Sequence, residues 1–259
     1  MTQDHRPPAI VLHIPHASME IPGDIRKSFV IDGAQLELEL LRMTDHFTDD
    51  LFALPADSAT SVVYPVSRLV CDPERYPDDS EETMSALGMG VIYTQRHDLG
   101  LLRTRPTPSE REALLDRFYR PHHEALGDAV SASLAVHDRC LVIDCHSFPG
   151  TPLPYETDSA RPDICIGTDE FHTPPALRDA AVSALEAGGL EVAVDRPFAG
   201  ALTPASRYRK DYRISAIMIE VNRSLYMDEE AGKRGPEFND IKALIERIIT
   251  SDLSNTLRD

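Results

Sequence analysis

The 259-residue chain has few lysines, no long apolar run and no excess of positive charge. Only four of its 26 basic residues are lysines, and the other 22 are arginines. Aspartate and glutamate number 43, so the formal net charge is −17. A chain this acidic repels nucleic-acid backbones and anionic membranes, so we expect neither as a partner. Arginine suits forked recognition of carboxylates, although a genomic bias towards arginine accounts for the count equally well.

Membrane segments and cysteine-based sites are also missing. No apolar run approaches the roughly 20 residues that cross a bilayer, and the first residues lack the basic-then-apolar pattern of a signal peptide. The four cysteines form no CxxC pair, which argues against a disulfide scaffold and a thiolate zinc site. With 42% apolar and 27% charged residues, the composition is that of a globular protein. We expect a soluble cytoplasmic protein.

Several catalytic motifs are absent. The chain has no GxSxG serine elbow, no GxxxxGK[ST] phosphate loop, no GxGxxG dinucleotide fingerprint and no HExxH zinc motif. Cys145 is next to His146, but neighbouring strand residues point to opposite faces, so they do not form a nucleophile–base pair. The chemistry must therefore come from residues brought together by the fold.

Short apolar strands alternate with amphipathic helices along the chain. Strands are predicted at 9–14, at 61–70 with an interruption at Pro65, and at 88–94, 140–147, 163–167, 191–195 and 214–222. Helices are predicted at 35–54, at 108–119 with a bend or break at Pro121 and a continuation to 136, at 174–188 and at 241–249. This alternation predicts a three-layer α/β fold with a mostly parallel central sheet and helices on both faces. No linker divides the chain, so we expect 1–259 to form a single catalytic domain.

Ligands of open α/β sheets bind at the carboxyl ends of the strands. His16 follows the first predicted strand, His146 ends the strand at 140–147, and Glu220 lies in the strand at 214–222. Two imidazoles and one carboxylate are the ligand set of a catalytic zinc site. A single histidine at a strand end is more often solvated than a ligand. Glu220 is harder to dismiss, because a carboxylate in an apolar strand needs a partner, a metal or a catalytic task.

Other polar residues allow two interpretations each. Asp144 lies on the same strand face as His146, so it either orients a metal ligand or satisfies backbone donors. Asp45 is one acid among several on a predicted helix and is typical of a solvated face. His13, inside a strand, resembles an ordinary structural histidine. Several arginines could clamp an anionic substrate, although most are expected on the surface.

Taken in order, a series of segments resembles the N-formylglutamate amidohydrolase family from Val11 to about Tyr226. The segments are VLHIPHAS, TDHFTDDLF, YPVSRLVCDPER, GMGVIYT, YRPHHEAL, LVIDCHSFP, PDICIGT, RPFAGALTP and IMIEVNRSLYMDE. That family is similar to zinc carboxypeptidases and aminoacylase-like deacylases. The resemblance therefore implies a carboxypeptidase-like (phosphorylase/hydrolase-like) fold with a mixed sheet. It also implies a small N-acyl amino acid as the substrate, with a role in amino-acid degradation such as histidine catabolism.

The resemblance assigns a role to each matching residue. It makes His16, Asp45 and His146 the ligands of one Zn²⁺ or another divalent ion. Glu220 resembles the general base, and Arg68 the arginine that polarises the scissile carbonyl. The implied substrate contacts are Arg75, Asn222 and Arg223.

The chain departs from the family in one loop, where the family reads Asp, any residue, Asn, Arg. Here the loop is Asp72-Pro73-Glu74-Arg75, so Glu74 removes amide donors and adds a negative charge near the presumed anion site. The implied reaction is metal-dependent hydrolysis of an N-formyl amino acid, with N-formyl-L-glutamate, giving formate and glutamate, as the first choice. A carboxypeptidase-like enzyme, another N-acyl amino acid deacylase and a non-catalytic anion-binding relative stay open. So does the oligomeric state.

Overall fold

A computed structural model describes residues 9–256; the amino-terminal segment 1–8, which bears on the signal-peptide prediction, and 257–259 lie outside it. A six-stranded sheet forms its centre, in the order β2-β1-β3-β6-β4-β5. Neighbouring strands are parallel except β4 and β6, which run antiparallel. The predicted mixed, mostly parallel sheet is confirmed. The strands are β1 (Ile10–Ile14), β2 (Thr60–Val63), β3 (Cys140–Phe148), β4 (Ile164–Gly167), β5 (Val192–Val194) and β6 (Ile214–Asn222), and a separate hairpin pairs β7 (Met227–Asp228) with β8 (Lys233–Arg234).

Helices cover both faces of the sheet, because successive strand residues point to opposite sides. The helices are α1 (Gly23–Arg26), α2 (Gly33–Met43), α3 (Thr48–Leu51), α4 (Pro108–Leu114), α5 (Arg120–His137), α6 (Pro175–Ala187) and α7 (Phe238–Arg247). On one face, Val142 and Ala216 pack with Leu126 and Val130 of α5. On the other, alternate strand residues form a larger core with α3, α6 and α7. Among the described residues, no helix is long and apolar enough to cross a membrane.

The sequence predicted one continuous helix over 35–54, but the structure has two separate helices there. Helix α2 ends at Met43, Thr44 is extended and Phe47 has a left-handed φ of 63° before α3 begins. The backbone N–H of Asp45 donates instead to the carbonyl of His16, at 3.0 Å. This bend turns Asp45 into the protein interior rather than towards solvent.

The sequence predicted a bend or break at Pro121, and the structure shows no break there. A π-helical turn, Leu115–Tyr119, joins α4 to α5, and Pro121 lies in the first turn of α5. The helical backbone therefore continues through Pro121, directly after the π-helical turn.

The strand predicted at 88–94 is wrong, and the one predicted at 61–70 with an interruption at Pro65 is present only before that proline. The segment 88–94 is irregular, because Gly88, at a φ of 72°, directs its carbonyl to the N–H groups of Thr94 and Gln95. Its apolar residues are buried as a loop rather than as a strand. Strand β2 ends at Val63, before Pro65, which cannot donate to a sheet ladder.

Candidate active site

The carboxyl ends of β1, β3 and β6 open into a cavity of about 520 Å³. His146 on β3 and Glu220 on β6 are register partners in adjacent parallel strands. Their side chains share the face of Val142 and Ala216, beyond the part that α5 covers. Lining residues that bear on the chemistry are His16, Arg42, Asp45, Arg68, Glu74, Arg75, His146, Glu220 and Arg223.

His16, Asp45 and His146 come together at the base of this cavity, with one candidate ligand atom from each within 4.8 Å of the others. Asp45 Oδ2 lies 3.2 Å from His146 Nδ1 and 3.7 Å from His16 Nδ1. His16 Nδ1 is buried and has no hydrogen-bond partner among the described residues. His16 follows β1, and His146 lies on β3. Asp45 comes from the bend after α2, which thus supplies the third member of the cluster.

Two further aspartates hold the other nitrogen of each histidine. His16 Nε2 donates to Asp72 Oδ1 at 2.8 Å, and His146 Nε2 donates to Asp144 Oδ1 at 3.0 Å. A carboxylate on Nε2 fixes the tautomer that leaves the Nδ1 lone pair free. The interpretation of Asp144 as an orienting residue agrees with this contact. Sequence reasoning gave Asp72 no such role; its signal was its place in the family-like DPER loop.

Asp45 is held by contacts that keep it ionised. Arg223 Nη2 donates to Oδ1 at 2.9 Å, and the N–H of Ser147 donates to Oδ2 at 3.1 Å. Burial alone would raise the pKa of Asp45, but the neighbouring imidazoles of His146 and His16 and the charge of Arg223 hold it well below its usual range.

Histidine and carboxylate donors of this kind fit a zinc-type divalent ion. The buried, unpaired Nδ1 of His16 beside Asp45 and His146 supports that fit, because such an atom needs a partner. The donor set is the one that the family resemblance implied.

Glu220 is 8% exposed, and its Oε2 has no hydrogen-bond partner among the described residues. Burial and the neighbouring charges of Asp45 and Asp144 raise its pKa to about 8, against the opposing effect of His146. A carboxyl group with a pKa near neutrality is suited to accepting and returning a proton.

Arg68 and Arg75 meet at Asp72. Arg68 donates to Asp72 Oδ2 through Nε and Nη2, at 3.1 and 2.9 Å. Its Nη1 lies 4.0 Å from Asp45 Oδ1. Arg75 Nε lies 3.8 Å from the same Asp72 oxygen and makes no hydrogen bond to the described residues.

The other two predicted substrate contacts have different surroundings. Arg223 is buried and donates to Ser147, to the carbonyl of Arg42 and to Asp45. The amide of Asn222 donates to the carbonyl of Pro162 and accepts from Ser224, and Asn222 is not among the described residues that line the cavity. A substrate contact stays a prediction for both.

A second buried group surrounds His13. Its Nδ1 lies 2.8 Å from Asp144 Oδ1 and 3.2 Å from Glu74 Oε1, and its Nε2 lies 2.8 Å from His122 Nε2. Burial would lower the pKa of His13, but the two carboxylates raise it to about 9. Burial and the nearby His13 cation lower the pKa of His122 to about 2, so His122 is neutral and accepts the bond. The raised pKa favours a protonated His13, which lies between the carboxylates of Asp144 and Glu74.

Fold and cavity together define a three-layer α/β protein with a histidine–carboxylate cluster at the carboxyl edge of its sheet. The chain belongs to the N-formylglutamate amidohydrolase family, whose model matches residues 9–227. The resemblance inferred from the sequence is thereby confirmed, and family membership makes the protein an amidohydrolase.

Two solved structures share the fold. The N-formylglutamate amidohydrolase from Ralstonia eutropha JMP134 is 22% identical, with a TM-score of 0.82 over 98% of this chain and 96% of its own. The gene product Atu2144 from Agrobacterium tumefaciens is 19% identical, with a TM-score of 0.67 over 96% of this chain and 92% of its own. No curated protein matches the sequence. At these identities the two structures establish the fold alone.

Proposed function

We propose that the protein hydrolyses the amide bond of an N-formyl amino acid in a metal-dependent reaction, with N-formyl-L-glutamate as its substrate. The observation that carries this proposal is the unpaired His16 Nδ1, which lies buried beside Asp45 and His146. A divalent cation held by His16, Asp45 and His146, zinc by the chemistry of the donors, supplies Lewis acidity and lowers the pKa of a water molecule.

Glu220 moves the proton in this mechanism. Its unpaired Oε2 accepts a proton from the attacking water, and the same oxygen then returns it to the leaving nitrogen. One water is consumed, the C–N bond breaks, and the products are formate and a free amino acid. A group with a pKa of about 8 both gains and loses this proton near neutral pH.

Arg68 stabilises the oxyanion that develops on the formyl carbonyl. Two of its nitrogens are held by Asp72, so the guanidinium cannot rotate away. Its remaining Nη1 is on the side of Asp45, where it can donate to the carbonyl oxygen. Arg75, with an unpaired Nε, binds the substrate α-carboxylate.

Glu74 is compatible with an anionic substrate because of His13. The sequence suggested that Glu74 adds a negative charge near the anion site. His13 Nδ1 lies 3.2 Å from that carboxylate, inside the protein, and its positive charge offsets it. The unusual loop therefore does not by itself repel N-formylglutamate.

The test is a panel of N-formyl and N-acetyl amino acids assayed for release of free amine, with the metal content of the purified protein measured in parallel. We expect about one divalent ion per chain and turnover of N-formyl substrates. Protein without stoichiometric metal that stays inactive after zinc addition would exclude the mechanism. Turnover of N-acetyl substrates alone would move the activity to another N-acyl deacylase.

A further inference from the structure

Four arginines line the active-site cavity, and one of them differs from the rest. Arg68 and Arg75 lie within 4.0 Å of Asp72, and Arg223 donates to Asp45. Among the described residues 9–256, the guanidinium of Arg42 makes no ion pair or hydrogen bond. Arg42 therefore brings to the cavity a positive charge that no carboxylate of the described protein neutralises.

Four acidic side chains of the cavity are already paired with cations other than Arg42. Glu74 is paired with His13, and Asp45 with Arg223. At the mouth, Glu156 is paired with Arg161, and Asp158 accepts from Arg196 Nε at 2.6 Å. Glu220, the register partner of His146, makes no ion pair with Arg42. None of these acids competes at short range for Arg42.

The backbone fixes Arg42 beside the reacting centre. Arg42 is in the last turn of α2, three residues before Asp45. Its carbonyl accepts from Arg223 Nη1 at 2.8 Å, and the same guanidinium holds Asp45. Arg42 also borders a neighbouring hollow that contains Glu229 and Glu230, but neither is within ion-pair distance of it. Because the backbone carbonyl makes this contact, a side-chain substitution leaves it in place.

We propose that Arg42 binds the side-chain carboxylate of an acidic N-acyl amino acid and thereby sets the preference for glutamate over neutral residues. This inference rests on the proposed function and assigns the residue that selects its acidic substrate. A dicarboxylate needs two cationic contacts besides the catalytic Arg68, and Arg75 and Arg42 provide them. The fork of an arginine suits a carboxylate, and a cavity of about 520 Å³ has room for a small dicarboxylate.

The test compares Arg42→Gln and Arg42→Lys with wild type on N-formylglutamate and N-formylglutamine. A charge-assisted hydrogen bond predicts that Arg42→Gln lowers kcat/KM for N-formylglutamate by about 10- to 100-fold, mainly through KM. Turnover of N-formylglutamine stays within about 2-fold, because its neutral amide does not need the charge. Arg42→Lys restores part of the preference. Arg139→Gln is the matched control, because Arg139 is exposed at the opposite end of β3.

Calorimetric binding of L-glutamate and L-glutamine to the same proteins, as purified, separates this proposal from the proposed function. Wild type is expected to bind glutamate more tightly, and Arg42→Gln to lose that difference. Turnover of N-formyl substrates with an acid preference unchanged by Arg42→Gln would overturn the role of Arg42 alone. Loss of the glutamate preference in binding, without turnover of any N-formyl substrate, would overturn the proposed function alone. Equal binding of both amino acids by wild type would overturn the role of Arg42.

Discussion

Asp72 accepts hydrogen bonds from several groups of the candidate active site, so Asp72→Asn tests how that site is held together. Its Oδ1 accepts from His16 Nε2 and the N–H of Glu74, and its Oδ2 accepts from Arg68 and from the hydroxyl of Tyr93. An asparagine has the same shape but only one acceptor oxygen. In either orientation its NH₂ faces at least two of these donors.

The expected loss of folding stability follows from the number of buried donors that lose their acceptor. Each orphaned buried donor costs about 1–3 kcal/mol, and removing one partner of a buried ion pair costs about 3–5 kcal/mol. We therefore expect the free energy of unfolding to fall by about 4 kcal/mol, out of a typical total of about 5–15 kcal/mol. Loss of the carboxylate on His16 should also weaken zinc binding about 10- to 100-fold.

Urea unfolding at pH 7 measures the first effect, and chelator competition measures the second. Asp57→Asn is the control, because Asp57 is exposed and should change stability by less than about 0.5 kcal/mol. A loss below about 1 kcal/mol for Asp72→Asn, with zinc affinity unchanged, would refute the reasoning.

The pH dependence gives a second check on Asp72. Burial would raise its pKa, but Arg68 and His16 hold it well below its usual range. A depressed folded-state pKa stabilises the protein above the unfolded value of about 3.9, and this contribution disappears as the pH falls below it. The difference between wild type and Asp72→Asn should therefore shrink in acid.

Three further predictions concern neighbouring groups. Glu220→Gln should keep its metal and lose about 10²- to 10⁴-fold in kcat; near-normal turnover would remove Glu220 from the role of base. Asp45→Ala should lower the metal content measured by elemental analysis; unchanged affinity would move the third ligand to another acid. The raised pKa of His13, about 9 against about 6.5 unfolded, contributes stability below pH 6.5 that is lost as the pH rises through 9. Wild type should thus lose about 3 kcal/mol more than His13→Gln between pH 6 and pH 10 in urea unfolding, and parallel losses would show that His13 is uncharged in the folded protein.

Elements with a strong local signal were predictable. The strand predicted at 214–222 has those bounds in the structure, and the strand at 140–147 is longer by one residue. Both are buried runs of mainly apolar residues, which are typical of central parallel strands. The helix start at Thr107-Pro108 also holds, because Thr107 and Glu110 form the expected capping box.

Failures occurred where distant contacts outweigh local propensity. The apolar spacing of 35–54 fits one helix, yet Asp45 gains contacts with His146 and Arg223, which lie 101 and 178 positions away. The segment 88–94 is rich in apolar residues because it is buried, and burial does not require a strand.

The sequence by itself determined the alternation of strands and helices, the family, and the positions of His16, His146 and Glu220 at strand ends. Only the tertiary structure decided that Asp45 is buried, that Asp72 and Asp144 orient the two histidines, and that His13 balances Glu74. The net charge of −17, by contrast, says nothing about the charges inside the cavity. Electrostatic pairing depends on distances of a few ångströms between residues far apart in the chain, so sequence composition cannot show which charges are neutralised and which, like Arg42, are left for a ligand.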